Sequence, residues 1–177
     1  MRSRYYLDTE FIEDGKTIDL VSLALVCDDG RELYCCNKDA KLEIASDWVK
    51  ENVIPSLPPD DSPLWMSHQA IKWSVLGFVL EYPKPEFWAY YADYDWVALC
   101  QLFGTMMQLP KHFPKFCMDL KQLSVMRGSP RNPPNPDGEK HDALLDARWN
   151  QKLFEALGGA SWEILPGQVR TVDVPRR

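Results

Sequence analysis

The sequence has no hydrophobic run long enough to cross a membrane. A membrane-spanning helix needs roughly 18 or more apolar residues in succession, and the longest candidates, residues 21–26 and 75–80, are far shorter. The first eight residues also lack the apolar stretch of a secretory signal. We therefore expect a protein without a membrane segment and with a cytoplasmic location.

Cysteine and positive charge are scarce as well. The five cysteines are an odd number without CxxC spacing, which argues against a disulfide framework and fits a reduced protein. Lysine and arginine total 20 against 26 aspartates and glutamates, so the net charge is −6. A passive nucleic-acid binder normally carries an excess of positive charge. A polyanionic partner would therefore have to be held by metal ions or by a local basic patch.

What the sequence does contain is enough apolar and aromatic material for one folded domain. Apolar residues make up 45% of the 177 residues, and Trp, Tyr and Phe occur seven times each. This composition is that of a globular protein and excludes a disordered chain. The length is close to that of a single domain, so we expect one domain over residues 1–165 and a short tail over residues 166–177.

The predicted elements begin with strands and continue with mixed helices and strands. Alternating apolar residues and a Gly30 hairpin turn predict strands, and 3.6-residue periodicity with capping residues predicts helices. The predicted strands are 4–11, 17–27, 31–36 and 86–92, and the predicted helices are 46–54, 67–80, 95–107, 116–126 and 141–157. A proline-rich stretch, 128–138, is predicted to be a mobile loop. This order predicts an α/β domain with a mixed sheet flanked by helices.

Two acidic motifs lie near predicted strand ends. Asp8 and Glu10 alternate along a strand and therefore project from one face, roughly 7 Å apart at Cα. On its own, such a pair is also typical of a solvated strand end. Asp93 and Asp95 lie where an aromatic strand turns into a helix, and acids there also interact favourably with the helix dipole. We select Asp95 as the site residue because an apolar helical run follows it directly.

The third motif is His141-Asp142 followed by Asp146. The start of a helix explains Asp142, whereas Asp146 lies one full turn inside, among apolar neighbours. An inward-facing carboxylate needs a partner, and a divalent cation is one of the few good ones.

Taken together, the three motifs predict a metal site. Strand ends and helix starts are the usual place for sites in α/β sheets. Carboxylate oxygens suit hard cations, and the sequence has no cysteine or histidine cluster that would favour zinc. Two ions about 4 Å apart form the clamp that is used for phosphodiester hydrolysis. We therefore predict two Mg²⁺ (or Mn²⁺) ions held by Asp8, Glu10, Asp95 and Asp146.

The ordered set resembles the DEDDh 3′–5′ exonucleases. The four acids above match the acidic positions of that superfamily, and His141 matches its histidine, over about residues 6–156. The Asp-Thr-Glu-Phe start and the Tyr-Asp-Trp-Val-Ala-Leu-Cys-Gln segment look closest to small RNase T-like exoribonucleases of mycobacteria. One departure is that Tyr90 and Tyr91 stand where many members place a histidine and an asparagine before the central acid.

This resemblance implies an RNase H-like fold and a homodimer. It implies hydrolysis of single-stranded RNA from the 3′ end to nucleoside 5′-monophosphates, with a preference for adenylate-rich RNA. It also implies that His141 is the general base, for which we expect a position in the loop or first turn before its helix. Phe11 would stack on the terminal base, although a place in the core is an equal alternative.

Further substrate contacts are less specific in the sequence. Tyr91 lies near the expected site, and Arg127, Arg131 and Lys140 flank the proline-rich stretch as candidates for trailing phosphates or as solvated loop charges. Two other functions stay open. A DNA exonuclease would share the metal chemistry, because discrimination rests on contacts to the 2′-hydroxyl. A catalytically silent adaptor would keep only the fold, but such proteins usually lose one or more of the acids.

Overall fold

A computed structural model describes residues 3–81, 83–128 and 141–159. Its strands are β1 (Ser3–Glu13), β2 (Ile18–Cys27), β3 (Glu32–Asn37), β4 (Trp65–Met66), β5 (Pro85–Ala89) and β6 (Met118–Asp119). Its helices are α1 (Asp47–Asn52), α2 (His68–Phe78), α3 (Ala92–Phe103), α4 (Leu120–Met126) and α5 (Ala143–Ala156). No helix in these ranges is long and apolar enough to span a bilayer.

The strands form one mixed sheet in the order β4-β3-β2-β1-β5-β6. β1 pairs antiparallel with β2 and parallel with β5, and β2 pairs antiparallel with β3 through the predicted hairpin. Gly30 takes a positive φ of 84° in that turn, which glycine adopts without a steric penalty. The predicted α/β domain with a mixed, helix-flanked sheet is confirmed.

The alternation of side chains along β1 divides most of the core between the two faces of the sheet, and a third, smaller cluster joins Ile12 to Val49 of α1. Tyr5 and Leu7 pack on the face covered by α2 and α3, whereas Tyr6 packs on the face covered by α4 and α5. Pairing between β1 and β5 ends at Tyr6 and Trp88. Beyond that pair the two strands no longer hydrogen-bond, and a crevice begins between the helices of the two faces.

The structure corrects several predicted boundaries. The strand predicted over 86–92 ends at Ala89, and α3 begins at Ala92 rather than Asp95, because Tyr91 adopts a left-handed conformation that ends the extended run. The helix predicted over 116–126 begins only at Leu120. Strands β4 and β6 were not predicted, since two residues carry no periodic signal. The predicted loop, apart from Gly128, and the predicted tail lie outside the described residues.

Candidate active site

The crevice beyond the end of the β1–β5 pairing is a cleft of about 700 Å³. It draws residues from β1, the start of α1, the turn before α3 and the first turn of α3, and the start of α5. Its lining residues are acidic, aromatic or small: Asp8, Thr9, Glu10, Phe11, Glu13, Ser46, Trp48, Val49, Tyr90, Tyr91, Tyr94, Asp95, His141 and Asp146. The structure therefore brings together all five residues that the sequence predicted as catalytic.

The most compact group in the cleft combines Glu10, His141 and Asp146. One ligand atom from each of the three lies within 4.8 Å of the others. Glu10 comes from β1 and is 8% exposed, whereas Asp146 comes from the first turn of α5. Asp142 caps the same helix by accepting from the backbone N–H groups of Leu144 and Leu145 at 2.9 and 3.0 Å. The helix start thus fixes the direction in which Asp146 points.

Asp95 enters the cleft from the opposite helical layer. It is 6% exposed, and its Oδ1 accepts hydrogen bonds from the backbone N–H (2.9 Å) and the hydroxyl (2.7 Å) of Thr9. Thr9 lies between Asp8 and Glu10 and, by strand alternation, faces the other way. Asp93 is exposed and does not line the cleft. Of the two acids between which the sequence left a choice, the structure therefore puts Asp95 in the site.

Burial and mutual repulsion raise the pKa of three of these carboxyl groups. Burial is the main cause for Glu10, whose pKa rises to about 8, with repulsion from Asp146 and Asp95 adding to it. The pKa of Asp95 rises to about 7, mainly through burial, although the hydrogen bonds from Thr9 oppose the shift. Burial and the charge of Asp95 raise the pKa of Asp8 well above its ordinary value. A cation among these groups would remove the penalty of ionising them.

The donor set fits a hard divalent cation. The converging ligand atoms are carboxylate oxygens with one imidazole, and no lysine or arginine is among the described residues that line the cleft. Carboxylate oxygens are the ligands that Mg²⁺ and Mn²⁺ prefer. The acidic part of the cleft is therefore a candidate metal site.

Two residues of the cleft have a left-handed backbone. Tyr91 has φ 58° and His141 has φ 68°, and they are the non-glycine residues with positive φ in the described ranges. Each stands directly before a helix or its capping residue, so His141 lies in the preceding loop as expected. Such conformations cost about 1–3 kcal/mol and cluster at functional sites. The His141 ring meets the edge of Trp48, with 4.7 Å between the ring centroids.

The predicted substrate-binding residues divide into three groups. Phe11 and Tyr91 line the cleft, and Phe11 stacks on Tyr94 with nearly parallel rings 5.5 Å apart. Arg127 does not line it: its guanidinium donates to the carbonyl of Leu157, at the far end of α5 and roughly 16 Å from Asp146 along the helix axis. Arg131 and Lys140 lie outside the described residues.

Sequence reasoning missed several residues of the cleft. Trp48 carried no signal, since it lies in a short helix remote from every acidic motif. Tyr94 was read only as part of a helix start, although its position next to Asp95 would have suggested it. Thr9 was hidden between two acids, and only its contact with Asp95 shows what it does.

Comparisons with known proteins agree with this geometry. The family described as 3′-5′ exoribonuclease Rv2179c-like domain matches residues 3–157. Two Mycobacterium tuberculosis proteins, 3′-5′ exoribonuclease Rv2179c of strain H37Rv and 3′-5′ exoribonuclease MT2234.1 of strain CDC 1551, are each 46% identical over 156 residues. The match covers 87% of this chain and 92% of each relative.

A solved structure supports the fold. The Mg²⁺- and Mn²⁺-bound form of S. pombe Pop2p superposes with a TM-score of 0.59 over 87% of this chain and 82% of its own, at 11% sequence identity. At that identity the likeness concerns the fold alone, and it confirms the predicted RNase H-like arrangement. Because the family matches residues 3–157 and two of its members are 46% identical to this protein, the chain belongs to the Rv2179c-like 3′-5′ exoribonuclease family.

Proposed function

We propose that this protein is a metal-dependent exoribonuclease that shortens single-stranded RNA from its 3′ end and releases nucleoside 5′-monophosphates. Family membership makes it a 3′-5′ exoribonuclease and thus a phosphodiester hydrolase. The metal ions, the roles of the residues and the single-stranded substrate are our proposals. The observation that carries them is the convergence of Asp8, Glu10, Asp95 and Asp146 in one cleft beside His141.

We assign the four carboxylates as ligands of two Mg²⁺ or Mn²⁺ ions. Burial of Glu10 and Asp95, together with the raised pKa values of both, argues that these groups have a cationic partner when they work at neutral pH. When bound, two such ions lower the pKa of a water molecule and stabilise the negative charge that develops on the leaving 3′-oxygen. The Thr9 hydrogen bonds would keep Asp95 oriented, in the way that groups around a metal ligand generally do.

We assign His141 as the general base that accepts a proton from the attacking water at an imidazole nitrogen. An imidazole is the group that enzymes use most often as a general base. His141 stands in the loop before α5 and lines the cleft beside Glu10 and Asp146. If His141 is the base, His141→Ala lowers kcat while Mn²⁺ binding, measured by calorimetry, stays intact. Loss of Mn²⁺ binding in that variant would make it a metal ligand instead.

The aromatic side chains of the cleft favour an unpaired strand. Trp48, Tyr91 and Tyr94 are between 50% and 59% exposed, so their rings can receive bases. Base–aromatic stacking contributes roughly 1–3 kcal/mol per base and needs bases that are free of a duplex. Phe11, stacked on Tyr94, extends this surface next to Glu10. The preference for adenylate-rich RNA and the homodimer stay predictions.

The direct test compares 5′-labelled single-stranded RNA and DNA of the same sequence, each with Mn²⁺ or Mg²⁺ and with EDTA. We expect an RNA ladder that shortens from the 3′ end, disappears in EDTA and disappears in Asp146→Asn. Asp93→Asn, which removes an exposed acid outside the cleft, is the matched control and should retain activity.

Other outcomes would overturn the proposal. Faster digestion of DNA than RNA would favour a DNA exonuclease, which shares the metal chemistry. No digestion of either strand with any divalent ion would favour an adaptor that retains the fold without the reaction. Full activity in EDTA would contradict the assignment of metal ligands.

A further inference from the structure

The walls of the cleft pose a problem for a polyanionic substrate. The described lining residues include Asp8, Glu10, Glu13, Asp95 and Asp146 and no lysine or arginine. Metal ions would neutralise charge only around the scissile phosphate. Each nucleotide further upstream brings another phosphate past an acidic or aromatic wall. Proteins bind the phosphates of a single strand mainly through basic side chains.

Lys121 is a cation next to two tyrosines that form one wall of this cleft. Its Nζ lies 5.9 Å from the ring centroid of Tyr90 and 6.0 Å from that of Tyr91. Both tyrosines line the cleft, and their rings meet edge to face with centroids 4.7 Å apart. Within the described ranges, no carboxylate forms an ion pair with Lys121. Among the described residues, the contacts of this ammonium group are therefore aromatic rings and not an acid.

The local structure fixes the backbone at Lys121 relative to the tyrosines. Asp119 accepts a hydrogen bond from the backbone N–H of Ala92 at 2.8 Å, and its other carboxylate oxygen accepts from that of Gln122 at 2.5 Å. One carboxylate therefore joins the residue that follows Tyr91 to the first turn of α4, which contains Lys121. The point from which the Lys121 side chain extends is therefore fixed relative to the turn that carries Tyr91.

We propose that Lys121 binds a phosphate of the RNA strand upstream of the scissile bond, and that Tyr90 and Tyr91 form the wall over which the strand leaves the cleft. This inference rests on the proposed function. Lys121 belongs neither to the acidic motifs nor to the basic residues that the sequence predicted as phosphate contacts. Because an ammonium is a compact point charge, the contact would be to the backbone and independent of base sequence.

Substrate length separates this subsite from the reaction itself. A dinucleotide contains only the scissile phosphodiester, whereas a hexanucleotide also carries upstream phosphates. For Lys121→Ala we expect kcat/KM on the hexanucleotide to fall about tenfold, a typical effect of one charge-assisted contact. On the dinucleotide it should change by less than about twofold. The slope of log(kcat/KM) against log[salt] for the hexanucleotide should become shallower by about 0.7, as expected for one lost contact to a single strand.

Two further variants control for fold and charge. Lys121→Arg keeps the positive charge and should restore most of the hexanucleotide activity. Lys72 offers a matched control, since its Nζ lies over Trp73 and Phe103 at 5.8 and 5.7 Å but lines no part of the cleft. Lys72→Ala should therefore retain the wild-type dependence on substrate length and salt.

The possible failures can be told apart. If the wild-type protein degrades neither substrate with Mn²⁺, the proposed function fails. If it degrades both and Lys121→Ala lowers dinucleotide and hexanucleotide activity equally, Lys121 acts on the reaction or on the fold and the phosphate subsite is wrong. An unchanged length dependence and salt slope in Lys121→Ala would also overturn the inference.

Discussion

At the scale of single residues, Thr9 joins the two halves of the acidic site. It stands between Asp8 and Glu10 in sequence but faces the opposite helical layer, where its N–H and hydroxyl both donate to Asp95. The two donors favour the charged form of Asp95 and oppose the effect of burial on its pKa. Thr9 thus fixes Asp95 relative to the strand that carries Asp8 and Glu10 on its other face.

Replacing the Thr9 hydroxyl should weaken the site without destroying it. Thr9→Val keeps the shape and the backbone donor but removes the 2.7 Å hydrogen bond to Asp95. We expect about a tenfold loss of Mn²⁺ affinity or of kcat, because partners of metal ligands typically contribute 10–100-fold. Isothermal calorimetry and RNA hydrolysis measure the two quantities. Thr17→Val, which removes an exposed hydroxyl contact to Asp14, should change neither; equal effects of the two variants would contradict this role of Thr9.

The central acid can be tested with an adjacent pair of variants. Asp95→Asn removes a buried charge that faces the cleft, and we expect RNA hydrolysis to fall by more than about a hundredfold, beyond the loss expected for a partner of a ligand. Asp93→Asn removes an exposed charge in the same helical turn and should leave kcat near the wild-type value. The opposite order of effects, measured with the same labelled RNA, would make Asp93 the functional acid.

At the scale of elements, the sequence predicted the helices and long strands better than the turns that shape the site. Periodicity and capping residues located α1, α2 and α5, and Ser46, Ser67 and Asp142 act as their caps. Periodicity could not reveal that Tyr91 is left-handed, because that conformation is imposed by tertiary packing and is rare outside glycine. This turn moves the start of α3 by three residues and brings Asp95 into the cleft.

The charged residues of the candidate site could be predicted from the sequence, whereas some of the aromatic residues around them could not. Asp8, Glu10 and Asp146 could be paired with His141 because their order and spacing are specific. Trp48 reaches the same cleft through a helix far away in sequence, and such a contact depends on the fold as a whole. Arg127 was proposed for a phosphate contact because of its charge near a proline-rich stretch; it does not line the cleft and donates to the carbonyl of Leu157 at the end of α5.

The attachment of α5 to β1 should contribute measurably to stability. Asn150 is 1% exposed, and its Nδ2 donates to the carbonyl of Leu7 at 2.9 Å, directly past the end of the β1–β5 pairing. Asn150→Ala leaves that carbonyl without this donor, which costs about 1–3 kcal/mol. At this chain length we expect the thermal midpoint to fall by about 5 °C. Asn52→Ala, which removes a similar but exposed bond to the Trp48 carbonyl, should cost less than about 0.5 kcal/mol. Equal shifts in calorimetry would contradict the role of burial.

At the scale of the whole molecule, negative charge is concentrated where the proposed cations bind. The net charge of −6 would by itself repel RNA. In the cleft, burial and, to a smaller extent, repulsion between the acids raise the pKa values of Glu10 and Asp95. Two divalent ions add +4 at that place and reverse the local potential. Metal binding should therefore act on stability as well as on RNA hydrolysis.

This coupling predicts how stability depends on pH. The pKa values of Glu10 and Asp95, about 8 and 7 in the folded metal-free protein, exceed their ordinary values of 4.5 and 3.8. The folded state therefore binds protons more tightly than the unfolded chain at these groups. Their stabilising contribution is fully present below about pH 4 and is lost as the pH rises to about 8. In EDTA, the thermal midpoint should decrease as the pH rises from 5 to 8.

Adding Mn²⁺ should raise the thermal midpoint more at pH 8 than at pH 5, because the ligands must lose their protons to bind a metal. Differential scanning fluorimetry across this pH range measures both effects. Glu10→Gln removes one titrating group and should flatten the decline in EDTA, whereas Asp93→Asn should keep the wild-type slope because Asp93 is exposed and outside the cleft. A metal-induced shift that is equal at pH 5 and pH 8 would show that the acids of the cleft are already ionised in the metal-free protein, and that burial does not couple their protons to the cations.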